Sequence, residues 1–151
     1  MTTTRAFEVV LSIPDNEALT ALATLQRLGI DVADLKRADL WRFKVDSSDA
    51  NDLPERLRGL ETVFNPNKHR LRERASAAPE SGEVWIDEAA PPGRRAGGGT
   101  VAGREVRGVR QAERLVSWRL FDRHGKPALA EVVDRAVETL LCNPAFQRAI
   151  R

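Results

Sequence analysis

The residues of this chain that could do chemistry are a glycine-rich stretch, two histidines and one cysteine. The glycines between Gly93 and Gly103 invite comparison with a phosphate-binding loop. The Gly-Lys-Ser/Thr that closes such a loop is missing, and no strong strand pattern precedes the stretch. We therefore interpret this segment as a flexible linker.

The histidines and the cysteine do not form a catalytic or metal-binding pattern. His69 and His124 are far apart in the chain, and neither has a second histidine at a metal-ligand spacing. Cys142 follows an apolar run and is expected to be a small buried residue. No serine stands in a Gly-x-Ser-x-Gly context. The sequence thus predicts no catalytic, cofactor-binding or metal-binding residue.

Basic residues form the most conspicuous polar pattern. They alternate after an Asn-Pro pair and recur further along the chain, at Lys68, Arg70, Arg72, Arg74, Arg94, Arg95, Arg104, Arg107 and Arg110. One interpretation is a surface for phosphate groups or an acidic partner protein. The other, which we prefer, is a solvated edge strand protected by charge.

The composition restricts the class of protein. A chain of 151 residues with 42% hydrophobic residues can form one medium domain or two small ones. A single cysteine cannot form an internal disulfide and indicates a reducing compartment. We find no signal-peptide pattern and no bilayer-spanning run, so we expect a soluble cytoplasmic protein. The net charge of +2 and the absence of tyrosine make nucleic-acid binding unlikely.

Hydrophobic periodicity predicts the elements of the first half. The first elements are a strand at 7–13 and a helix at 16–28, which Asp15 caps and Gly29 ends. Two strands follow at 30–37 and 40–45, around an Ala38-Asp39 turn. A helix then starts from a capping box at 52–55, and a last strand lies within 61–72. This order is βαββαβ, which predicts an α+β, ferredoxin-like antiparallel sheet. Its helices should cover one face and leave the other free for pairing with another copy.

The second half begins after a change of composition. Residues 73–102 are rich in Ala, Pro, Gly and Arg, which predicts a mobile linker with one apolar island, Val84 to Ile86, docked on a sheet edge. Residues 105–111 and 114–122 are interpreted as a hairpin. Apolar residues from Leu129 to Leu141 follow the helical spacing without a miss, and Asn143-Pro144 should end that helix.

The two halves share landmarks in the same order. Gly29 to Lys36 corresponds to Gly103 to Arg110, Trp41-Arg42-Phe43 to Trp118-Arg119-Leu120, and Asn65-Pro66 to Asn143-Pro144. The spacing between counterparts is nearly constant, which indicates an internal duplication. We therefore divide the chain into a module at 5–72, a linker at 73–102 and a second module at 103–151. The second module is incomplete because the glycine-rich segment cannot supply its first helix.

The βαββαβ order, the strand Val106-Arg107-Gly108-Val109-Arg110 and the helix end Leu140-Leu141-Cys142-Asn143-Pro144 together resemble PurS, the small subunit of bacterial phosphoribosylformylglycinamidine synthase. The first half is similar more loosely, in Val32 to Lys36 and Val63 to Pro66. The resemblance implies a non-catalytic subunit of purine biosynthesis that pairs through its sheets. It also implies glutaminase and synthetase subunits as partners, which such a subunit bridges.

Two departures from the family and two alternatives accompany this resemblance. PurS chains are usually about half this length, and after Asn143-Pro144 this chain lacks the family's acidic last strand. An ACT-like small-molecule sensor shares the βαββαβ order and a Pro14-Asp15 start, but the glycine expected after the first strand is missing. An RNA-binding ferredoxin-like module is ranked last, since its strands lack an aromatic pair for base stacking.

Overall fold

The chain forms an α+β structure in a computed structural model that describes residues 1–61, 63–88, 100–101, 104–145 and 147–151. Three α-helices lie within these residues: α1 (Asn16–Arg27), α2 (Leu53–Arg58) and α3 (Ala130–Ala136). The strands are β1 (Thr2–Leu11), β2 (Asp34–Asp46), β3 (His69–Glu73), β4 (Glu83–Asp87), β5 (Thr100–Val101), β6 (Arg104–Glu105), β7 (Val109–Phe121) and β8 (Arg148–Ile150). A 3₁₀ turn at Ser47–Asp49 follows β2, and a π-helical turn at Val137–Leu141 continues α3.

Six strands make the main antiparallel sheet, in the order β3-β1-β2-β7-β4-β8. β1 pairs with β2 and β3, and β4 pairs with β7 and β8. The neighbours β2 and β7 are the longest strands, with 13 residues each. β5 and β6 form a separate two-stranded ribbon.

The chain divides into two compact units that are interleaved in sequence. The first unit comprises Met1–Ile13, Asp39–Ala77 and the described part of Ala90–Leu115. Its core is aromatic and aliphatic, and it includes Phe7, Phe43, Val45, Leu53 and Leu57. Phe43 and Val45 alternate along β2 while Leu53 and Leu57 lie one turn apart on α2, so the strand and the helix bury facing apolar stripes.

The second unit comprises Pro14–Ala38 and the described parts of Ala78–Ala89 and Val116–Arg151. Its core joins Leu25 of α1, Val133 of α3 and Leu141 of the π-helical turn to Val84 and Ile86 of β4. α1 begins as predicted, because the Asp15 carboxylate accepts hydrogen bonds from the Glu17 and Ala18 backbone N–H groups. It ends at Gly29, whose φ of 80° suits a residue without a side chain.

The predicted turns inside the long strands are wrong. Residues 30–37 and 40–45 do not form two strands around Ala38-Asp39, because β2 runs unbroken from Asp34 to Asp46. Residues 105–111 and 114–122 are likewise not a hairpin, since β7 runs from Val109 to Phe121. Cross-strand partners override the local turn preference, as in the pairing of Asp39 with Val9. The order over β1 to β3 is therefore βαβαβ rather than βαββαβ.

The helix and edge predictions are corrected in detail. Asp52 does not cap α2, and its carboxylate accepts a 2.9 Å hydrogen bond from Arg56 instead. The strand expected within 61–72 is β3, at His69–Glu73. The helix predicted over 129–141 is α3 followed by the π-helical turn. The island Val84 to Ile86 is a strand as predicted, but β4 lies between β7 and β8 rather than at an edge.

The expectation of a free sheet face is wrong for the middle of β1. Ala6, Phe7, Glu8 and Val9 are consecutive and all buried, so both faces of the strand are covered there.

Of the predicted linker 73–102, Glu73 ends β3, Glu83–Asp87 form β4 and Thr100–Val101 form β5. Residues 89–99 and 102–103, with most of the glycine-rich stretch, lie outside the described residues.

Candidate functional site

A buried carboxylate lies at the centre of β1 in the first unit. Glu8 is only 3% exposed. The Nε of Arg72, its register partner on β3, donates a 2.7 Å hydrogen bond to Glu8 Oε1. The Arg74 guanidinium, itself buried, lies 4.0 Å from the same oxygen. A buried carboxylate is tolerable only when it is paired in this way, so we assign this cluster a structural role.

A shallow cavity of about 360 Å³ also lies in the first unit. Arg42 of β2 donates a 2.5 Å hydrogen bond to Glu113 of β7 at its wall. Thr4, Lys44 and Gln111 complete the polar part of the lining. Glu113 balances Arg42 and Lys44 adds a further positive charge, so the lining carries charges of both signs and we assign this cavity no ligand.

A second buried carboxylate lies in the second unit, on strands β4 and β7. The Ser117 hydroxyl donates a 2.5 Å hydrogen bond to Glu83, and the Glu80 backbone N–H donates another of 2.9 Å. Arg119 approaches Glu83 to 3.6 Å. Ser117 is 1% exposed, so its hydroxyl cannot meet a substrate, and the serine–carboxylate pair holds two strands together.

The titratable residues considered from the sequence are not brought together. His69 Nδ1 accepts a 3.0 Å hydrogen bond from the Asn65 backbone N–H, which fixes the ring against Phe64. His124 lies in the turn that Asp122 closes through hydrogen bonds from the His124 and Lys126 backbone N–H groups. Within the described ranges, no group of three or more His, Cys, Asp or Glu side chains could hold a metal ion.

The alternating basic residues are partly exposed and partly paired. β3 is an edge strand of the sheet, as the preferred interpretation required, and Lys68 and Arg70 are exposed. Arg72 and Arg74 face Glu8, while Arg107 pairs with Asp49 and Arg110 with Asp46. These pairs spread the positive charge over carboxylates, so the described residues do not form one anion-binding patch.

A groove of about 500 Å³ in the second unit is the most distinctive surface feature. α1 forms one wall, with Asn16, Thr20 and Thr24 spaced four residues apart. Leu140 and Leu141 of the π-helical turn form the other wall, and Trp118 of β7 lines the groove between them. Single π-helical turns occur frequently at functional sites.

The lining of this groove is partly acidic. Glu17 and Glu88 belong to its lining, and Gln147 donates a 3.2 Å hydrogen bond to Glu88. Arg37 pairs with Glu17 and with Asp15, and its guanidinium carbon lies 5.9 Å from the Trp118 ring centroid. The groove lining therefore combines aromatic and aliphatic side chains with two carboxylates.

Sequence reasoning did not anticipate these clusters. The strand pattern at 7–13 gives Glu8 no role, and Trp118 enters the sequence analysis only as a landmark of the repeat. One available signal was the run of arginines at every second residue of β3, because such a run needs carboxylates on the adjacent strand if the sheet face is covered.

Comparison with known proteins does not assign the chain. No protein-family model matches it, and no curated protein is similar to it at a significant level. Within the part of the chain that the structure describes, no helix is both long and apolar enough to cross a membrane.

Proposed function

We propose that this chain is a PurS-like, non-catalytic bridging subunit in which two PurS-like modules are fused. It would act in the cytoplasm and join the glutaminase and synthetase subunits of a phosphoribosylformylglycinamidine synthase. The family does no chemistry itself, which is compatible with the structural roles assigned to Glu8, Glu83 and Ser117 above.

The observation that carries this proposal is the strand order β3-β1-β2-β7-β4-β8. Read from the centre outward, each half contributes its 13-residue strand, then its first strand, then its last strand. In each half a helix also precedes the last strand: α2 before β3, and α3 before β8. Such an order is expected when two copies of one βαβαβ module pair through their long strands.

The family resemblance gives this arrangement a functional meaning. Separate PurS chains pair through their sheets, and here the same pairing would be made within one chain. The second module departs from the first between β4 and β7, where the described residues form the β5–β6 ribbon. The two halves are thus not equivalent surfaces, as would suit a subunit that holds two different partners.

The alternatives have less support. An ACT-like sensor needs a glycine after the first strand, where the backbone approaches an amino-acid ligand, and this chain has Ser12-Ile13-Pro14 there. An RNA-binding sheet would need exposed rings, yet Trp41 and Phe43 on β2 are buried.

The proposal is tested with the purified glutaminase and synthetase subunits from the same genome. We expect a ternary complex by analytical ultracentrifugation in the presence of glutamine and ATP. We also expect the chain to raise glutamine-dependent turnover while leaving ammonia-dependent turnover nearly unchanged, because only the first reaction requires ammonia to pass between subunits. Failure to bind either subunit would overturn the proposal.

A further inference from the structure

The groove lies beside the contact between α1 and the π-helical turn, and α1 gives it a polar wall. Packed helices normally meet through apolar side chains at positions three and four apart. α1 instead presents the polar series Asn16, Thr20 and Thr24, and the Thr24 hydroxyl donates a 3.0 Å hydrogen bond to the Thr20 carbonyl. Leu25 and Ala21 of α1 pack with Leu141 in the core of this unit, and the polar stripe beside them lines the groove.

The opposite wall leaves apolar surface in solvent. Leu140 is 41% exposed although it stands between the buried Leu141 and α3, at the end of the helix that carries the unit's core. It shares the groove with Trp118, a large and partly buried ring. Tryptophan is enriched among the residues that anchor protein–protein interfaces, so Trp118 is the anchor candidate of this groove.

The charge of the groove selects among occupants. The described lining residues include two carboxylates, Glu17 and Glu88, and no basic side chain. Arg37 is close to the groove but is already engaged by Asp15 and Glu17. Because Glu17 is the ion-pair partner of Arg37, Glu88 is the lining carboxylate that can meet a lysine or arginine, whose aliphatic stem can pack on Trp118 and Leu140.

We propose that this groove is the docking site for a segment of a partner subunit that carries a lysine or arginine beside a large apolar residue. The apolar residue packs against Trp118 and Leu140, and the basic group lies near Glu88. Because the occupant belongs to the glutaminase or the synthetase, this assignment rests on the proposed function and adds to it the surface and the chemistry of the contact.

Titration calorimetry of the purified partner subunits against matched variants tests the assignment. Thr20→Trp fills the groove from the α1 wall. Ala23→Trp adds the same side chain to an exposed position of the same helix outside the groove. We expect Thr20→Trp to weaken binding of one partner by about tenfold or more, the effect typical of a lost interface anchor, and Ala23→Trp to leave it unchanged.

A charge variant tests the second half of the assignment. Glu88→Gln keeps the shape of the side chain, and we expect it to weaken the same partner several-fold and to reduce the salt dependence of its affinity. Glu131→Gln, on the exposed first turn of α3 outside the groove, is its control and should change neither.

The outcomes separate this assignment from the proposed function. If wild type binds its partners and Thr20→Trp binds them equally well, the docking site is wrong and the bridging function stands. Equal losses in Thr20→Trp and Ala23→Trp, with unchanged melting temperatures, would also overturn the site. If wild type binds neither partner, both the bridging function and the docking site fall.

Discussion

The buried hydrogen bond from Ser117 to Glu83 should contribute to the stability of the fold. Ser117→Ala removes one donor from a carboxylate that is 3% exposed, so the remaining partners must satisfy it alone. We expect the free energy of unfolding to fall by about 1–3 kcal/mol. Urea denaturation followed by circular dichroism measures this loss. Ser81→Ala, at an exposed serine, should change stability by less than about 0.5 kcal/mol, and equal losses would contradict the structural role.

The reactivity of the Cys142 thiol should depend on pH differently from that of free cysteine. Burial raises the pKa of the Cys142 thiol above the ordinary value, an effect that the charge of Arg151 only partly opposes. The thiolate is the reactive form, so alkylation by iodoacetamide at pH 7.5 should be slower than for free cysteine. The rate should keep rising with pH beyond the range in which a free thiol has levelled off. In urea the difference should vanish, and fast alkylation of the folded protein would refute the prediction.

At the residue scale, the sequence shows which catalytic and ligand-binding motifs are missing, but it does not show which distant side chains come together. The missing Gly-Lys-Ser/Thr and the isolated histidines can be read directly from the chain. The pairing of Glu8 with Arg72 cannot, because the two are far apart in sequence and become neighbours only through the β1–β3 register. The groove beside Trp118 was equally hidden, since its two walls come from different halves of the chain.

The turn before β7 provides a prediction at the scale of an element. Gly108 has a φ of 80°, and a Cβ built on it would lie 2.5 Å from the Cβ of Asp49. Gly29 has the same φ, but nothing lies within 4 Å of its Cβ position. Gly29→Ala should cost about 1–2 kcal/mol from backbone strain alone. Gly108→Ala should cost roughly 1–3 kcal/mol more from the clash, measured by chemical denaturation, and equal costs would contradict the close approach.

The elements show which physical signals a sequence contains. The capping of α1 by Asp15 and its end at Gly29 are local, and both were predicted. The continuity of β2 and β7 is not local. Arg42 pairs with Glu113, and Arg114 approaches Asp39 to 3.3 Å, so residues that resemble turns in isolation are held in strands by their neighbours.

At the scale of the whole molecule, the order of strands carries more information than any residue. The two copies of the weak repeat are Gly29 to Lys36 and Gly103 to Arg110. The first runs into the start of β2 and the second into the start of β7, and these two 13-residue strands are neighbours in the sheet. The two compact units do not follow the halves, since each unit takes chain segments from both. The proposed fusion of two modules would account for both observations, because paired copies would contribute to common cores.

A fragment of residues 1–77 tests this fusion. It contains β1, α1, β2, α2 and β3, but it loses β7, the neighbour of β2. In the intact chain, Leu25 and Leu35 of this fragment share a core with Val84 and Val133, so the isolated fragment would expose them. If the halves descend from a module that pairs with itself, a second copy should cover the same surface through β2.

We therefore expect fragment 1–77 to sediment at twice its own mass and to unfold with a concentration-dependent midpoint, because association and folding are then linked. Residues 78–151 serve as the comparison. Their described part has the β5–β6 ribbon where the first half has α1, so this fragment should not fold alone. A folded monomer of fragment 1–77 would count against the fusion, since a module that needs no partner gives no reason for two copies to share their cores.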